Sequence, residues 1–165
     1  MLKPVLIAVV VSTISAFDAS AAAGGRLYCA ANDPAIVTSF EIEFDEQRGG
    51  QLSHFKGGME LKDRKMPAAF RGFALDSRMM TQRWSEAGTM RFRLYKYAYT
   101  GGALETLNVQ AVLQPGEGER YNGRYFLVAN STPSGPNTVE KLLAKASGTL
   151  TCSRKTHEQT LANYQ

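Results

Sequence analysis

Histidine is almost missing from this chain of 165 residues: there are two, His54 and His157. Nucleophilic catalysis through a His-activated hydroxyl or thiol needs base and nucleophile within hydrogen-bond reach. Ser53 and His54 are neighbours on an expected strand and therefore point to opposite faces, while His157 falls in a polar C-terminal stretch. Cysteine is equally scarce. Cys29 and Cys152 stand near opposite ends of the chain, so closely spaced metal ligands are lacking. Among the carboxylates, Glu41 and Glu43 make one same-face pair, which the polar alternation of a strand explains without chemistry. No glycine run leads from a strand into a helix and ends in Lys-Ser or Lys-Thr, as a phosphate cradle requires; Gly57-Gly58 and Gly101-Gly102 read as turn glycines. Catalytic residues, metal and cofactor are all expected to be none.

Long hydrophobic runs are also missing, except at the start. Residues 1–23 carry Lys3, an apolar stretch from Val5 to Ile14, and small residues at Ala19, Ser20, Ala21, Ala22 and Ala23, the pattern of an export signal. The apolar part is about ten residues long, half of the roughly twenty that span a bilayer. Cleavage after Ala21 and after Ala23 both satisfy the small-x-small rule. A single β domain over 24–153 and a polar tail over 154–165 then follow, with the product expected in the periplasm or secreted. The formal charge of +4 is spread along the chain. In an exported protein that argues against nucleic acid and leaves an acidic polymer or a membrane surface, contacted without spanning, as the partners a basic balance allows.

The two cysteines that are present bracket the domain. Pairing them closes a loop of over a hundred residues, which in the chain-entropy account stabilises by about 4 to 5 kcal/mol, and implies an oxidising compartment. Between them, apolar residues recur every second position. Leu27 and Cys29 share a face; Phe40, Ile42 and Phe44 oppose Ser39, Glu41 and Glu43; Met90, Phe92 and Leu94 oppose Arg91, Arg93, Tyr95, Tyr97 and Tyr99; Leu107, Val109, Ala111 and Leu113 oppose Asn108 and Gln110. Gln51 to Lys56 and Met59 to Lys62 fit one strand bulged at Gly57-Gly58, and Ala68 to Leu75 fits another. Asp76 to Ala87 reads either as a helix capped by Asp76 or Ser77 or as extended chain, and Thr138 to Lys145 as one or two helical turns with Val139, Leu142 and Leu143 inward. Short strands punctuated by Gly and Pro turns predict an all-β fold, a single antiparallel β-barrel or sandwich of about eight strands with one or two short helical turns. If the cysteines pair, the first and last strands lie side by side or face to face, and side-by-side placement closes a barrel.

Two features carry what functional signal there is. Arg91, Arg93, Tyr95, Tyr97 and Tyr99 form a strip of interface-prone side chains on one strand face, and Trp84, the one tryptophan, lies just before it. The expected function is an exported, non-enzymatic binding protein that holds an apolar small molecule or an envelope or extracellular protein, an inhibitor of an envelope hydrolase included. Two other classes stand beside it: an enzyme acting on envelope or extracellular material, which would need carboxylates such as Glu41, Glu43 or Asp63 to converge in a pocket, and a structural envelope component that associates through open strand edges. A lined cavity favours the small-molecule carrier; a filled core beneath an exposed Arg-Tyr patch favours the protein binder.

Overall fold

The computed structural model describes residues 25–45, 51–86 and 88–156. The expected export signal and most of the expected tail lie outside them. Nine strands make one antiparallel sheet: β1 (Gly25–Asn32), β2 (Ile36–Asp45), β3 (Gln51–Leu61), β4 (Gly72–Asp76), β5 (Met80–Glu86), β6 (Thr89–Thr100), β7 (Ala103–Pro115), β8 (Arg120–Pro133) and β9 (Lys141–Thr156). A single-turn helix, α1 (Ala68–Arg71), and a 3-10 turn at Ser77–Met79 are the helical pieces among the described residues. The order is β4-β3-β2-β1-β9-β8-β7-β6-β5, a meander curled into a half-barrel rather than split into a sandwich.

The curl follows from which faces are apolar. Phe40 of β2, Phe55 of β3 and Phe92 of β6 meet in the middle, with ring centroids 5.2, 5.6 and 6.1 Å apart. β2 and β6 are far apart in the sheet order, so only a curled sheet brings these rings together. Each ring buried this way contributes about 1.5 to 3 kcal/mol. Gly57 allows the close approach on that side: a Cβ there would lie 2.3 Å from the Ser39 carbonyl oxygen and 2.5 Å from the Phe40 Cβ. Met66 and Phe70, in and before α1, are 1% and 0% exposed, so the link from β3 to β4 adds to the core.

β4 and β5, the two edges of the sheet, are consecutive in the chain. Since every ladder is antiparallel, they run in the same direction and form one strand path broken at the 3-10 turn. β4 pairs with β3 from Lys56 to Glu60, and β5 with β6 from Thr89 to Leu94. Counting them as one gives the eight strands that the sequence predicts. At the break the Asp76 carboxylate accepts the Arg78 N–H at 2.8 Å. The Ser77 hydroxyl accepts the Phe55 N–H at 3.0 Å and donates to the Phe55 carbonyl at 3.3 Å. Lys96 of β6 lies 5.0 Å over the Phe73 ring of β4.

Several local expectations change. Thr138 to Lys145 is not helical: β9 begins at Lys141, and Val139 and Leu142 are 81% and 56% exposed rather than inward. The long edge of β8 offers a ladder that one or two isolated helical turns cannot match, because nucleating a helix is costly. Asp76 to Ala87 resolves into the 3-10 turn and β5. Ala68 to Leu75 starts as α1, with the Phe70 N–H bonded to the Pro67 carbonyl at 2.9 Å, and becomes β4 only at Gly72. β3 runs unbroken through Gly57-Gly58, and its register shift lies instead opposite Glu43/Phe44. β9 continues past Ser153 to Thr156.

Of the two arrangements a disulfide allows, β1 and β9 adopt the side-by-side one, with Cys29 directly opposite Cys152 and their Cα atoms 4.1 Å apart across the disulfide. A second brace sits further along. The Tyr125 hydroxyl of β8 passes over Gly148 of β9 and donates to Asp33, in the β1–β2 turn, at 2.7 Å. The other Asp33 oxygen accepts the Ala35 and Ile36 N–H groups at 2.8 and 3.0 Å. Burial opposes the Asp33 charge, but the Tyr125 and amide bonds outweigh it and hold the carboxyl below the usual range. Burial first, and Asp33 second, push the Tyr125 hydroxyl well above the ordinary tyrosine value. Gly148 is obligatory here, since a Cβ would lie 2.2 Å from Asp33 and 2.5 Å from the Tyr125 ring.

Replacing both Cys29 and Cys152 by Ser should lower unfolding free energy by several kcal/mol in a denaturant titration, and an unchanged midpoint would deny the disulfide its role. Tyr125→Phe should cost about 1.5 to 3 kcal/mol, as for a hydrogen bond to a charged group. The folded carboxyl of Asp33 titrates below its unfolded value of about 3.9. Its contribution is therefore complete above about pH 5 and is lost as pH falls through the folded value. The acid-side loss of stability should be smaller in Tyr125→Phe, as melts between pH 2 and 6 would read.

Candidate functional site: an aromatic and basic outer face

β6 sorts its side chains by alternation. Met90, Phe92 and Leu94 go inward at 2%, 2% and 4% exposed, which turns Arg91, Arg93, Tyr95, Tyr97 and Tyr99 outward along a single line. β5 pairs with β6 so that Trp84 stands opposite Arg91, with the guanidinium 5.9 Å from the indole centroid. All six residues of the expected strip are thus on one continuous surface. Trp84, Tyr97 and Tyr99 are 45%, 60% and 74% exposed, while Arg93 and Tyr95 are half-buried. Successive tyrosine rings lie 6.2 Å apart but are turned by 35° and 80° to one another, so they make an uneven, protruding ridge rather than a flat platform.

The surface extends further than the sequence strip. Across the ladders Arg91 leads to Val112, Arg124 and Thr149; Arg93 to Gln110, Phe126 and Ser147; Tyr95 to Asn108, Val128 and Lys145; Tyr97 to Thr106 and Asn130. None of these positions is Asp or Glu. Phe126 is 38% exposed with Lys145 above its ring at 5.3 Å, repeating the cation-over-ring arrangement of Arg91 and Trp84. Phe126 and Arg124 escape a reading of β6 alone because only cross-strand register brings them beside the strip.

Two acidic side chains stand together on the far side of the sheet. Glu41 of β2 has Lys56 Nζ at 2.8 Å and an Arg26 guanidinium nitrogen at 3.8 Å, and Glu43 has Arg26 at 3.7 Å. The hydrogen bond from Lys56, against the cost of burial, holds Glu41 below the usual carboxylate range, so it stays ionised. Beside it a groove of about 760 Å³ crosses from β3 to β8, with Tyr28, Ser39, Glu41, Lys56, Arg120 and Asn122 on its walls. Asp63 lies beyond the end of β3 and lines a different pocket from Glu41. Among the described residues no group of three or more His, Cys, Asp or Glu is placed to hold a metal ion, and no helix is long and apolar enough to cross a membrane.

No family model matches this chain, and no curated protein and no solved structure matches it either.

The strip should be separable from the fold. Tyr97→Ser should change stability by less than about 1 kcal/mol, whereas Phe92→Ala on the opposite face of the same strand should cost about 3 to 5 kcal/mol, both read from chemical denaturation.

Proposed function

We propose that this is an exported, non-enzymatic binding protein that engages a protein partner through the outer face built on β5 and β6. The observation that carries the reading is the ridge on which Trp84, Arg91, Tyr97 and Tyr99 stand exposed, with Tyr95 half-buried among them, over a core of packed phenylalanines. Trp, Tyr and Arg are the residues that dominate protein interfaces, where Lys, Glu and Asp are depleted. This face has three arginines to one lysine in its central rows and no acid, so it complements an acidic protein surface. The mutual tilt of the tyrosine rings suits interdigitation with side chains better than stacking along a linear polymer. The packing of three phenylalanine rings against one another in the middle of the sheet favours a partner on the outer face over an apolar ligand held between them. A disulfide belongs to an oxidising compartment outside the cytoplasm; export to the periplasm or the medium through residues 1–23 is the finer reading.

The test has two parts. The mass of the protein recovered from its exported fraction should correspond to a start at Ala22 or Gly24, minus two hydrogens for the disulfide. A photo-crosslinking side chain at Tyr97 should trap an acidic protein that the same group at His54, on the far side of the sheet, does not. Converting Tyr95 and Tyr97 together to Ser should then weaken binding of that partner by about tenfold or more without altering the fold. Equal trapping from both positions, or undiminished affinity in the Ser variant, would sink this reading.

A further inference from the structure

β9 is 16 residues long, but β1 pairs with it only from Thr151 to Thr156. β1 leaves the ladder because the Asp33 turn swings the chain back into β2. From Lys141 to Leu150, β9 therefore has β8 on one side and no strand on the other. The alternation of the ladder says which groups face this slit. Cys29 and Cys152 have the close Cα spacing of a non-hydrogen-bonded pair, at 4.1 Å, so their neighbours Thr151 and Ser153 exchange hydrogen bonds with β1. Continuing with period two, Thr149, Ser147 and Lys145 turn their N–H and C=O groups away from β8 and into the slit. Among the described residues none of these groups has a backbone partner outside the sheet ladders.

An apolar pocket opens against the same stretch. It has a volume of about 330 Å³, with Ile36, Leu61, Met66, Leu127, Ala144 and Ala146 in its walls. Lys62, whose ammonium donates to the Asn32 side chain and the Asp33 carbonyl, and Lys145, whose ammonium lies over the Phe126 ring, stand exposed on its rim together with Asp63. The Tyr125–Asp33 bond bridges the slit above it. An apolar pocket beside a row of strand-spaced donors and acceptors is what β-strand addition uses: main-chain bonds hold the segment, and a pocket selects one of its side chains. A lipid tail or small hydrophobe would fill the pocket and leave the row unsatisfied.

We propose that this slit takes an extended segment of a partner protein, which adds to β9 as a strand, lowers one apolar side chain into the pocket, and carries acidic residues beside that anchor to meet Lys62 and Lys145. The apolar walls of the pocket are no part of the Arg-Tyr face, but Lys145 borders both.

The probe is a pool of acetylated, amidated peptides about seven residues long, the length of an ordinary strand, with glutamate alternating with Val, Ile, Leu, Met or Phe. In the free protein the amides of Lys145, Ser147 and Thr149 should exchange faster than those of Ala146 and Gly148, which face β8. Binding members of the pool should slow those three amides by about tenfold or more and shift the methyl resonances of Leu127 and Met66. Peptides interrupted by proline at alternate positions should do neither, because they cannot complete the ladder. Ala146→Leu, which fills the pocket, should weaken binding by about tenfold or more. If that variant does not fold, Ala144→Leu, on another wall of the same pocket, should weaken it likewise. The proposal is overturned if the three amides are already as protected as Ala146 and Gly148 in the free protein, if no member of the pool binds, or if proline-interrupted peptides bind as well. It is also overturned if laurate shifts the methyls while no peptide protects the amides.

Discussion

Everything in this molecule depends on the first strand meeting the last. Without the β1–β9 ladder the sheet would be an open row with two long edges, and the rings of Phe40, Phe55 and Phe92 would have no reason to face one another. The ladder is short, and it is held at two points of different chemistry. The Cys29–Cys152 bond fixes it covalently, and the Tyr125–Asp33 hydrogen bond ties the turn after β1 to β8, one strand beyond β9. The first acts mainly by limiting the unfolded chain, the second by a charge held in a partly buried place. Gly148 serves the second, since it lets the tyrosine cross β9 to reach Asp33.

Curling the sheet also explains how one surface comes to be so uniform. Inward positions are taken by the core, so each strand displays only alternate residues, and the register of neighbouring ladders decides which of these stand together. On β2 and β3 the register pairs Glu41 with Lys56, and the charges answer each other. On β6 to β9 it assembles arginines, aromatic rings and amides with no acid among them.

How much of this was legible beforehand depended on the range of the interaction. Met90, Phe92 and Leu94 against Arg91, Arg93 and Tyr95 is a period-two signal that stands in twelve consecutive residues, and it placed both the core and the strip. The disulfide was legible because only two cysteines were there to pair. The Val139 to Leu143 segment misled because an apolar spacing of three and four suits a helix, while the strand edge that captures it belongs to β8 and has no local trace. Tyr125 and Asp33 are 92 residues apart, and no pattern in either neighbourhood announces the bond. The slit beside β9 was invisible for a related reason: it exists only because β1 stops short, which is a fact about two strands at opposite ends of the chain.

The broken strand of β4 and β5 has its own consequence for motion. From β5 round to β4 the ladders are continuous, but between those two edges the closure rests on the Ser77 hydroxyl, on Lys96 over Phe73, and on ring contacts. Such a seam is where a fluctuating sheet unzips first. An opening there would part Phe55 from Phe92 while the disulfide kept the other side shut, so the molecule would breathe like a hinged clasp rather than come apart. Arg78, whose side chain is 91% exposed at that point, marks the place on the surface where the interior is least securely closed off.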